Sequence, residues 1–456
     1  MLSSSDASGE NDVYAAHMDV RSALSQEYST PMNTIPASRL TAAQRQRGIW
    51  ALMTSTFFSW GGFFLVVPLV AVHYVDHLGW TAGAVGIVLA LRQLAQQGGS
   101  VFFGILADRT GPKPLMATGM LVRAVGFGAM GFAESFWPVL GALLLAGLGG
   151  ALFEAPNAAA LASLSTPETR RRIFSIFGVI AGVGTAIGTQ LGALLIAADF
   201  RLVCLVGGAA FVIIFVVLTI ALPNIAVSAT PSGTTDGGTR LVFRDRTFLL
   251  FLVFLAGYWF ISAQFGLAIV LYATDLTGSD RAVSWLYLVN TLFTVVLGYI
   301  LPRYLERWLS ALGLLIAGVT IMAVVIFMVG FTTGITTLLI AAAFFSIGSV
   351  LASPGQETVL ANLAAPSARG AYFGVAGLSL AVGGGLGNYL GGTLYDIGTH
   401  PGRGMLPWTI FCLVGLAAVG GMIARRRDFG VVRDQHDVPT ASAPGPKSSP
   451  EMAMPD

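Results

Sequence analysis

Twelve long runs of almost uncharged, apolar residues constrain the fold of this chain more than any other feature of its sequence. A helix needs about 20 apolar residues to cross the roughly 30 Å hydrocarbon core of a bilayer. The chain is 55% hydrophobic and 11% charged, whereas soluble domains carry about 25% charged residues. The runs therefore predict an all-α integral membrane protein with twelve transmembrane helices. In chain order, spans one to twelve cover 48–74, 84–107, 114–133, 136–164, 172–197, 201–222, 247–272, 282–301, 309–330, 334–363, 370–394 and 407–424.

The placement of basic residues predicts the orientation of these spans. If the spans alternate from a cytoplasmic N-terminus, only three of the 25 Lys and Arg residues lie on the outer side: Arg201, Arg281 and Arg403. Arg92 and Arg123 lie within spans, and all the others fall on the inner side. This is the bias of the positive-inside rule, and it places both termini in the cytoplasm.

The spans form two halves with related sequences. GALFEAP at 150–156 parallels GSVLASP at 348–354, and LASLSTPETRRRIF at 161–174 parallels LANLAAPSARGAYF at 360–373. Because each half holds six spans, the halves insert in the same orientation as two parallel six-helix repeats, between which a midplane cavity can form. The predicted order is a disordered cytoplasmic tail, a six-helix bundle, a flexible cytoplasmic linker, a second six-helix bundle and a cytoplasmic tail: 1–47, 48–222, 223–246, 247–424 and 425–456.

The loop between spans two and three reads GILADRTGPKP from residue 104 onward. Topology alone explains a short basic loop, but not an acid directly before Arg109 at a helix end. The stretch resembles the signature G-x-L-a-D-R-x-G-x-K of the major facilitator superfamily, matched at Gly104, Leu106, Asp108, Arg109, Gly111 and Lys113. The resemblance implies a conformational latch in which Gly104 lets spans two and eleven approach, and Asp108 faces the positive N-terminal end of span eleven. Arg109 would reach a carboxylate such as Glu168.

Span five carries a second, partial family signature. GTAIGTQLGA at 184–193 resembles the G-x-x-x-G-P-x-x-G-G pattern of the antiporter branch, matched at Gly184, Gly188 and Gly192. Thr189 replaces the proline, so ordinary packing of small residues explains the stretch equally well, and the basic signature of span four is absent. Across the whole chain the pattern resembles the twelve-helix drug:proton antiporter branch. That resemblance implies export of amphipathic drugs across a bacterial inner membrane in exchange for protons.

Ionisable residues inside spans are candidates for function, because Arg or Asp at a helix centre costs at least about 2.5–3.5 kcal/mol on insertion scales. Glu154 and Arg123 lie at similar depths of about 13–16 Å, and Glu154 has Ala352 at its position in the aligned repeat. Either the two form a structural pair, or Glu154 carries a proton, since burial favours the neutral acid and a nearby cation favours the carboxylate. Glu357 in span ten is the second candidate carrier, unless its side chain snorkels to the interface.

Polar side chains inside the bundle are the candidates for a substrate cavity. One arc of span two, at 100° per residue, carries four of them: Arg92, Gln93, Gln96 and Gln97. This stripe is either a cavity wall or a hydrogen-bond clamp between helices. The second half adds Tyr258, Trp259, Gln264 and Asn290. His73, Asp76 and His77 cluster at the outer end of span one, as interfacial anchors or as a proton entry point.

The sequence argues against an enzyme. It contains no Walker-type P-loop, HExxH, CxxC or nucleophile elbow, and Cys204 and Cys412 lie in apolar spans as small packing residues. We expect a monomeric transporter whose partners are a small-molecule substrate, protons and the lipid bilayer, without a cofactor, a metal or nucleic acid. Two alternatives stay open: a proton symporter or facilitator for a small polar metabolite, and a non-transporting membrane sensor.

Overall fold

The structure, a computed structural model, describes residues 35–36, 40–226, 235–365 and 368–429. Within these ranges the chain is built almost entirely of long helices joined by short connections. The long helices are α1 Ala42–Val72, α2 Ala82–Thr110, α3 Pro112–Met130, α4 Phe136–Leu164, α5 Pro167–Ile196, α6 Phe200–Ala221, α8 Arg246–Gly266, α9 Ala268–Thr277, α10 Arg281–Leu305, α11 Ala311–Val329, α12 Ile335–Leu363, α13 Arg369–Gly398 and α14 Leu406–Ala424. The short elements are α7 Thr235–Arg244, α15 Arg426–Phe429, a π-helical turn His73–His77, and the paired strands β1 Ile35–Pro36 and β2 Ile225–Ala226.

Side-chain caps and prolines fix where several helices begin. At the start of α1 the Thr41 hydroxyl accepts from the Gln44 N–H while the Gln44 side chain accepts from the Thr41 N–H, which satisfies two otherwise unpaired donors. At the start of α2 the Thr81 hydroxyl accepts from the Ala84 N–H, without a reciprocal bond. Pro112 opens α3 at a position where a missing N–H costs nothing.

The structure confirms an all-α integral membrane protein. Within the described residues, ten helical segments are long and apolar enough to span a membrane by length and composition alone, with α8 and α9 counted together. Segments α2 and α3 bring the number to the expected twelve; Arg92 with its glutamines in α2, and Arg123 in α3, lower their mean hydropathy. Side chains on the outside of the bundle are apolar, such as Leu194, which is 73% exposed, as a surface facing hydrocarbon requires.

The two halves repeat each other at a constant spacing of 199 residues through three consecutive helices. Helices α2 and α10 begin at Ala82 and Arg281. Helices α3 and α11 are both 19 residues long, and α4 and α12 are both 29 residues long. The close contact between α3 and α4 at Gly119 and Gly149 recurs between α11 and α12 at Gly318 and Gly348.

This spacing corrects the repeat alignment around Glu154. The sequence paired Glu154 with Ala352, one position short of the constant spacing. In the structure Gly149 packs against Arg123 and Gly348 packs against Met322, so Met322 is the counterpart of Arg123. Ser353 is then the counterpart of Glu154. The second half therefore lacks both charges at these two positions.

Contacts between the halves concentrate at one end of the bundle. We call the end that carries Thr41 and Arg425 the terminal face, and the end that carries His77 and Asp280 the opposite face. At the opposite face His77 Nε2 and Asp280 Oδ2 are 3.1 Å apart. The Asp396 carboxylate accepts hydrogen bonds from the backbone N–H groups of Ala82 and Gly83, both at 2.8 Å.

Helices α2 and α13, one from each half, diverge from the opposite face toward the terminal face. A Cβ added at Gly392 would collide with the Ala82 carbonyl oxygen. Farther along, a Cβ at Gly377 would lie 3.9 Å from Gln97 Oε1, and one at Gly374 would meet no atom within 4 Å. Within the part of the chain that the structure describes, the two halves are thus in contact at the opposite face and separate toward the terminal face.

The segment between the halves differs from the flexible linker expected for 223–246. It contains helix α7, Thr235–Arg244, which packs against α8 and α13, and β2, which pairs with β1. The expected tails also contain structure: α1 begins at Ala42, and Phe429 of α15 packs against Phe251 and Phe254. Most of both tails, residues 1–34 and 430–456, lies outside the described residues.

The span-five glycines lie where α5 crosses α1. A Cβ at Gly184 would lie 2.5 Å from the Phe57 carbonyl oxygen, and Cβ atoms at Gly188 and Gly192 would collide with the carbonyl oxygens of Gly61 and Leu65. The backbones thus approach as closely as small residues permit.

We expect Gly188→Leu to reduce the amount of folded protein in the membrane and to lower its melting temperature in detergent, because overpacking costs about 1–3 kcal/mol or more. Gly178→Leu on the same helix is the matched control, since a Cβ there meets no atom within 4 Å. Thermal unfolding followed by size-exclusion chromatography measures both. Equal losses in the two variants would contradict the assigned helix crossing.

Candidate functional site: a charged cluster inside the first half

A hydrogen-bonded chain joins α2 to α4 inside the first half. Arg92 donates through Nη1 to Gln96 Oε1 at 2.7 Å and through Nη2 to Gln93 Oε1 at 2.9 Å. The Gln96 amide in turn donates through Nε2 to Glu154 Oε1. The amide of Gln96 therefore links the arginine of one helix to the carboxylate of another.

Arg123 is held mainly by aromatic rings. Its guanidinium lies 4.9 Å from the ring centre of Phe211 and 5.2 Å from that of Phe63. Arg92 lies 5.1 Å from the same Phe63 ring. Both arginines are buried, at 3% and 6% exposure, and cation–π contacts partly compensate for the lost hydration of such groups. Phe63 of α1 thus contacts both buried cations.

Glu154 lies at the predicted depth in α4. Its side chain is exposed, whereas those of Arg92 and Arg123 are buried. Glu154 is ten residues from the end of α4, and Arg123 is eleven residues from the start of α3, so both lie about 15–16 Å from the terminal face. They form no ion pair within 4.0 Å among the described residues. The direct partner of the Glu154 carboxylate is therefore Gln96 and not Arg123, as the sequence had suggested.

The predicted cavity residues of the second half divide into two groups. The rings of Tyr258 and Trp259 are in contact, tilted by 57° with centres 4.8 Å apart, and Asn290 donates to the Ser346 hydroxyl at 3.0 Å. Gln264 instead is fully buried, and its amide donates to the carbonyl oxygens of Phe260 and Gly387, both at 2.9 Å. The structure thus places Gln264 as a clamp between α8 and α13 rather than on an open cavity wall.

Glu357 is exposed on α12, six residues before that helix ends at the terminal face. Among the described residues its carboxylate forms no ion pair within 4.0 Å. Its depth of about 9 Å lets the side chain reach water at that face, in keeping with the alternative of snorkelling.

The latch residues lie at the terminal end of α2. Gly104, Asp108 and Arg109 belong to the last two turns of the helix, which ends at Thr110, but their side chains lie outside the described residues, as does that of Glu168. Gly111 follows with a φ of 81°, a conformation that glycine adopts readily.

Three features of the interior were missed by reasoning from the sequence. Phe63 is an ordinary residue of an apolar run, and nothing in the sequence connects it with Arg92 and Arg123. Asp396 lies just beyond span eleven, as Asp108 lies just beyond span two, and this parallel was available as a signal. The third feature is a break at Leu267 between α8 and α9, next to Gly266.

This arrangement can couple the charge of one residue to the position of another. A carboxylate accepts a stronger hydrogen bond than a neutral acid, so protonation of Glu154 weakens its bond from Gln96. Gln96 also accepts from Arg92, whose neighbour Gln93 is half-buried. A change of charge on α4 can therefore be transmitted to a polar surface on α2.

Comparisons with known proteins agree on one family. A model described as the Major Facilitator Superfamily matches residues 52–308. The chain is 37% identical over 393 residues to the multidrug resistance protein MdtH of Escherichia coli (strain K12 / DH10B). These residues cover 86% of this chain and 97% of that protein. MdtH of Shigella boydii serotype 18 matches to the same extent.

Solved structures of transporters share the fold of this chain. The peptide transporter POT in complex with sulfate superposes with a TM-score of 0.72 at 15% identity, over 85% of this chain and 96% of that one. A bacterial homolog of the human lysosomal transporter Spinster superposes with a TM-score of 0.67 at 14% identity, over 86% and 97%.

Proposed function

The chain belongs to the major facilitator superfamily and is a membrane transporter rather than an enzyme; from this premise we propose that it exports amphipathic drugs or similar small molecules in exchange for protons. The MdtH proteins to which it is similar are multidrug resistance proteins, which supports a drug as the substrate. Proton exchange is supported by one observation above all: Glu154 is an exposed carboxylate, bonded to Gln96, about 15 Å from the terminal face.

The proposed place of action is the bacterial inner membrane, with the terminal face in the cytoplasm. The exposed arginines at that face, among them Arg303 and Arg307, support this orientation through the positive-inside rule. The separation of α2 and α13 toward the same face then corresponds to an inward-open state, in which cytoplasmic drug and the Glu154 carboxylate meet in one cavity.

In the proposed cycle Glu154 carries the proton, and Arg123 and Arg92 hold positive charge close to it. An exposed acid can exchange protons with whichever side the cavity opens to, and buried cations repel a second positive charge. Binding of a cationic drug and of a proton would therefore compete, as antiport requires. Glu357 stays the second candidate for the proton, because it too is an exposed acid inside a span.

The substrate is proposed to bind between the halves. Gln93 and Gln96 with Arg92 offer hydrogen bonds from the first half, and Tyr258, Trp259 and Asn290 offer aromatic and polar contacts from the second. A largely apolar cavity with a few polar groups suits amphipathic molecules. Gln264 is left out of this proposed surface, because its amide donates to backbone carbonyl oxygens of α8 and α13 within the second half.

Two latches are proposed to hold the alternating states. Asp396 of α13, which accepts from the first N–H groups of α2, would close the opposite face. Asp108 and Arg109 of α2, facing the start of α13, would close the terminal face, and Gly104, Gly111 and Lys113 would shape the loop that carries them. A carboxylate is favoured at a helix N-terminus in both cases. The Asp396 latch is supported by its two hydrogen bonds, and the Asp108 latch by the family signature.

Transport in everted membrane vesicles tests the proposed function. We expect an imposed pH gradient, acidic inside, to drive a fluorescent cationic dye into vesicles that contain the protein, and a protonophore to stop this uptake. Vesicles without the protein are the control. Dye movement that ignores the pH gradient but follows the dye gradient would favour a facilitator, and no movement of any of a panel of drugs would refute drug export.

A further inference from the structure

An apolar groove lies on the outside of the second half, between α8, α13 and α14. Its volume is about 650 Å³. Residues that line it include Leu252, Val253, Phe260, Val382, Leu386 and Val414, and Val253 is 64% exposed. Ser379 is the polar side chain among the described lining residues, and its hydroxyl donates within its own helix to the Ala376 carbonyl oxygen. The groove thus offers no polar partner along its length.

The groove is as long as one leaflet of a bilayer is deep. On α8 it runs from Leu249 to Phe260, and on α13 from Val375 to Leu386. Eleven residues of helix rise about 16 Å, which is about half of the roughly 30 Å hydrocarbon core. The groove begins at the terminal face, because Leu249 lies in the first turn of α8.

Two exposed arginines lie in the helix that contributes Phe243 to the end of the groove at the terminal face. Phe243 of α7 lines the groove, and exposed Arg240 and Arg244 lie on either side of it in the same helix, one turn apart. The nearby acid Asp245 is already engaged, since it accepts from the Tyr372 hydroxyl at 2.8 Å and from the Phe248 N–H at 3.1 Å. An amphipathic helix with arginines at an interface attracts anionic lipid.

We propose that this groove binds an anionic phospholipid of the leaflet at the terminal face, with its phosphate at Arg240 and Arg244 and one acyl chain along α8 and α13. The length of the groove selects a lipid rather than a short hydrophobic solute, and the two arginines select a negative headgroup. Attraction to two arginines at the membrane surface should raise the affinity for an anionic lipid about thirty-fold over that for a lipid without net charge. This inference is independent of drug export and of proton coupling.

Native mass spectrometry of the delipidated full chain in detergent tests the proposal by titration with phosphatidylglycerol or phosphatidylcholine. We expect the wild type to bind phosphatidylglycerol about thirty-fold more strongly than phosphatidylcholine. R240Q/R244Q should lose most of that preference. R303Q/R307Q, a pair one turn apart at the same face but outside the groove, is the matched control and should keep it. Ala417→Phe places a ring in the groove from an exposed position and should weaken retention of both lipids.

Several results would overturn the proposal. Equal retention of the two lipids by the wild type would show that charge does not select the occupant. An equal loss in R303Q/R307Q would show general attraction to the basic face rather than a site. A two-copy complex that Ala417→Phe disrupts would identify the groove as an interface between copies of this chain.

Discussion

We expect Glu154→Gln to abolish drug transport driven by a pH gradient in proteoliposomes, down to the level of liposomes without protein. Glutamine keeps the size of the side chain and its capacity to accept from Gln96, but it cannot take up or release a proton. Because Glu154 is exposed, the substitution leaves no buried group unpaired, and the protein should fold normally. The measurement is dye movement after a pH jump.

Two controls separate loss of coupling from loss of binding. Glu154→Gln should still bind an uncharged ligand, which intrinsic tryptophan fluorescence can follow, and it should still exchange substrate across the membrane in the absence of a pH gradient. Glu357→Gln should keep at least part of its proton-driven transport. If Glu154→Gln transports at the wild-type rate while Glu357→Gln does not, the proton carrier lies in the second half.

The second large effect concerns the equilibrium between the two open states. We expect Asp396→Asn to open the opposite face, because asparagine keeps only one of the two oxygens that accept from backbone N–H groups and carries no charge. Bonds to charged groups contribute about 1.5–3 kcal/mol, so losing even one shifts the equilibrium by about ten- to a hundred-fold. Asp108→Asn should shift it in the reverse direction.

Spin-label distances can measure both shifts in one experiment, after Cys204 and Cys412 are replaced by serine. Labels at Gly178 and Gly298 report on the terminal face, since a Cβ at either position meets no atom within 4 Å, and labels at Phe132 and Phe331 report on the opposite face, where both side chains are exposed. Asp428→Asn is the control, because its carboxylate pairs locally with Arg425. Distances that move in the same direction in both latch variants would refute a reciprocal pair.

The helices could be predicted from the sequence because a membrane span leaves a signal that depends on length and composition alone. Contacts between spans leave no comparable signal. Glu154 and Gln96 are 58 positions apart on different helices, and the depth estimate that matched Glu154 with Arg123 contained no information on which side of α4 the carboxylate lies. Depth follows from counting residues, whereas partners depend on how the helices are rotated about their axes.

The one-residue error in the repeat alignment has a related cause. Spans four and ten are rich in glycine and alanine, so they align almost equally well at a spacing of 198 or 199 residues. Pro156 and Pro354 favoured the shorter spacing. The backbone contact of Gly149 with Gly119, repeated by Gly348 with Gly318, settles the spacing. Helix α7 was missed for another reason: its Thr-Asp-Gly-Gly start has poor helix propensity, and its packing against α8 and α13 is not visible in the sequence.

The break at Leu267 gives the seventh membrane segment a mechanical property that a continuous helix lacks. Leu267 has φ −127° and ψ −75°, so the backbone ladder is interrupted there, and α9 forms a separate rod of ten residues, about 15 Å long. Asp275 of α9 accepts from the hydroxyl of Tyr395 of α13. The turn after α9 carries Asp280, the partner of His77. The break thus makes α9 a unit separate from α8, and this unit carries one side of both contacts. Movement of α9 about Leu267 would therefore break the Tyr395–Asp275 and His77–Asp280 contacts together, so that the opposite face would lose its link at Asp280 in the same step.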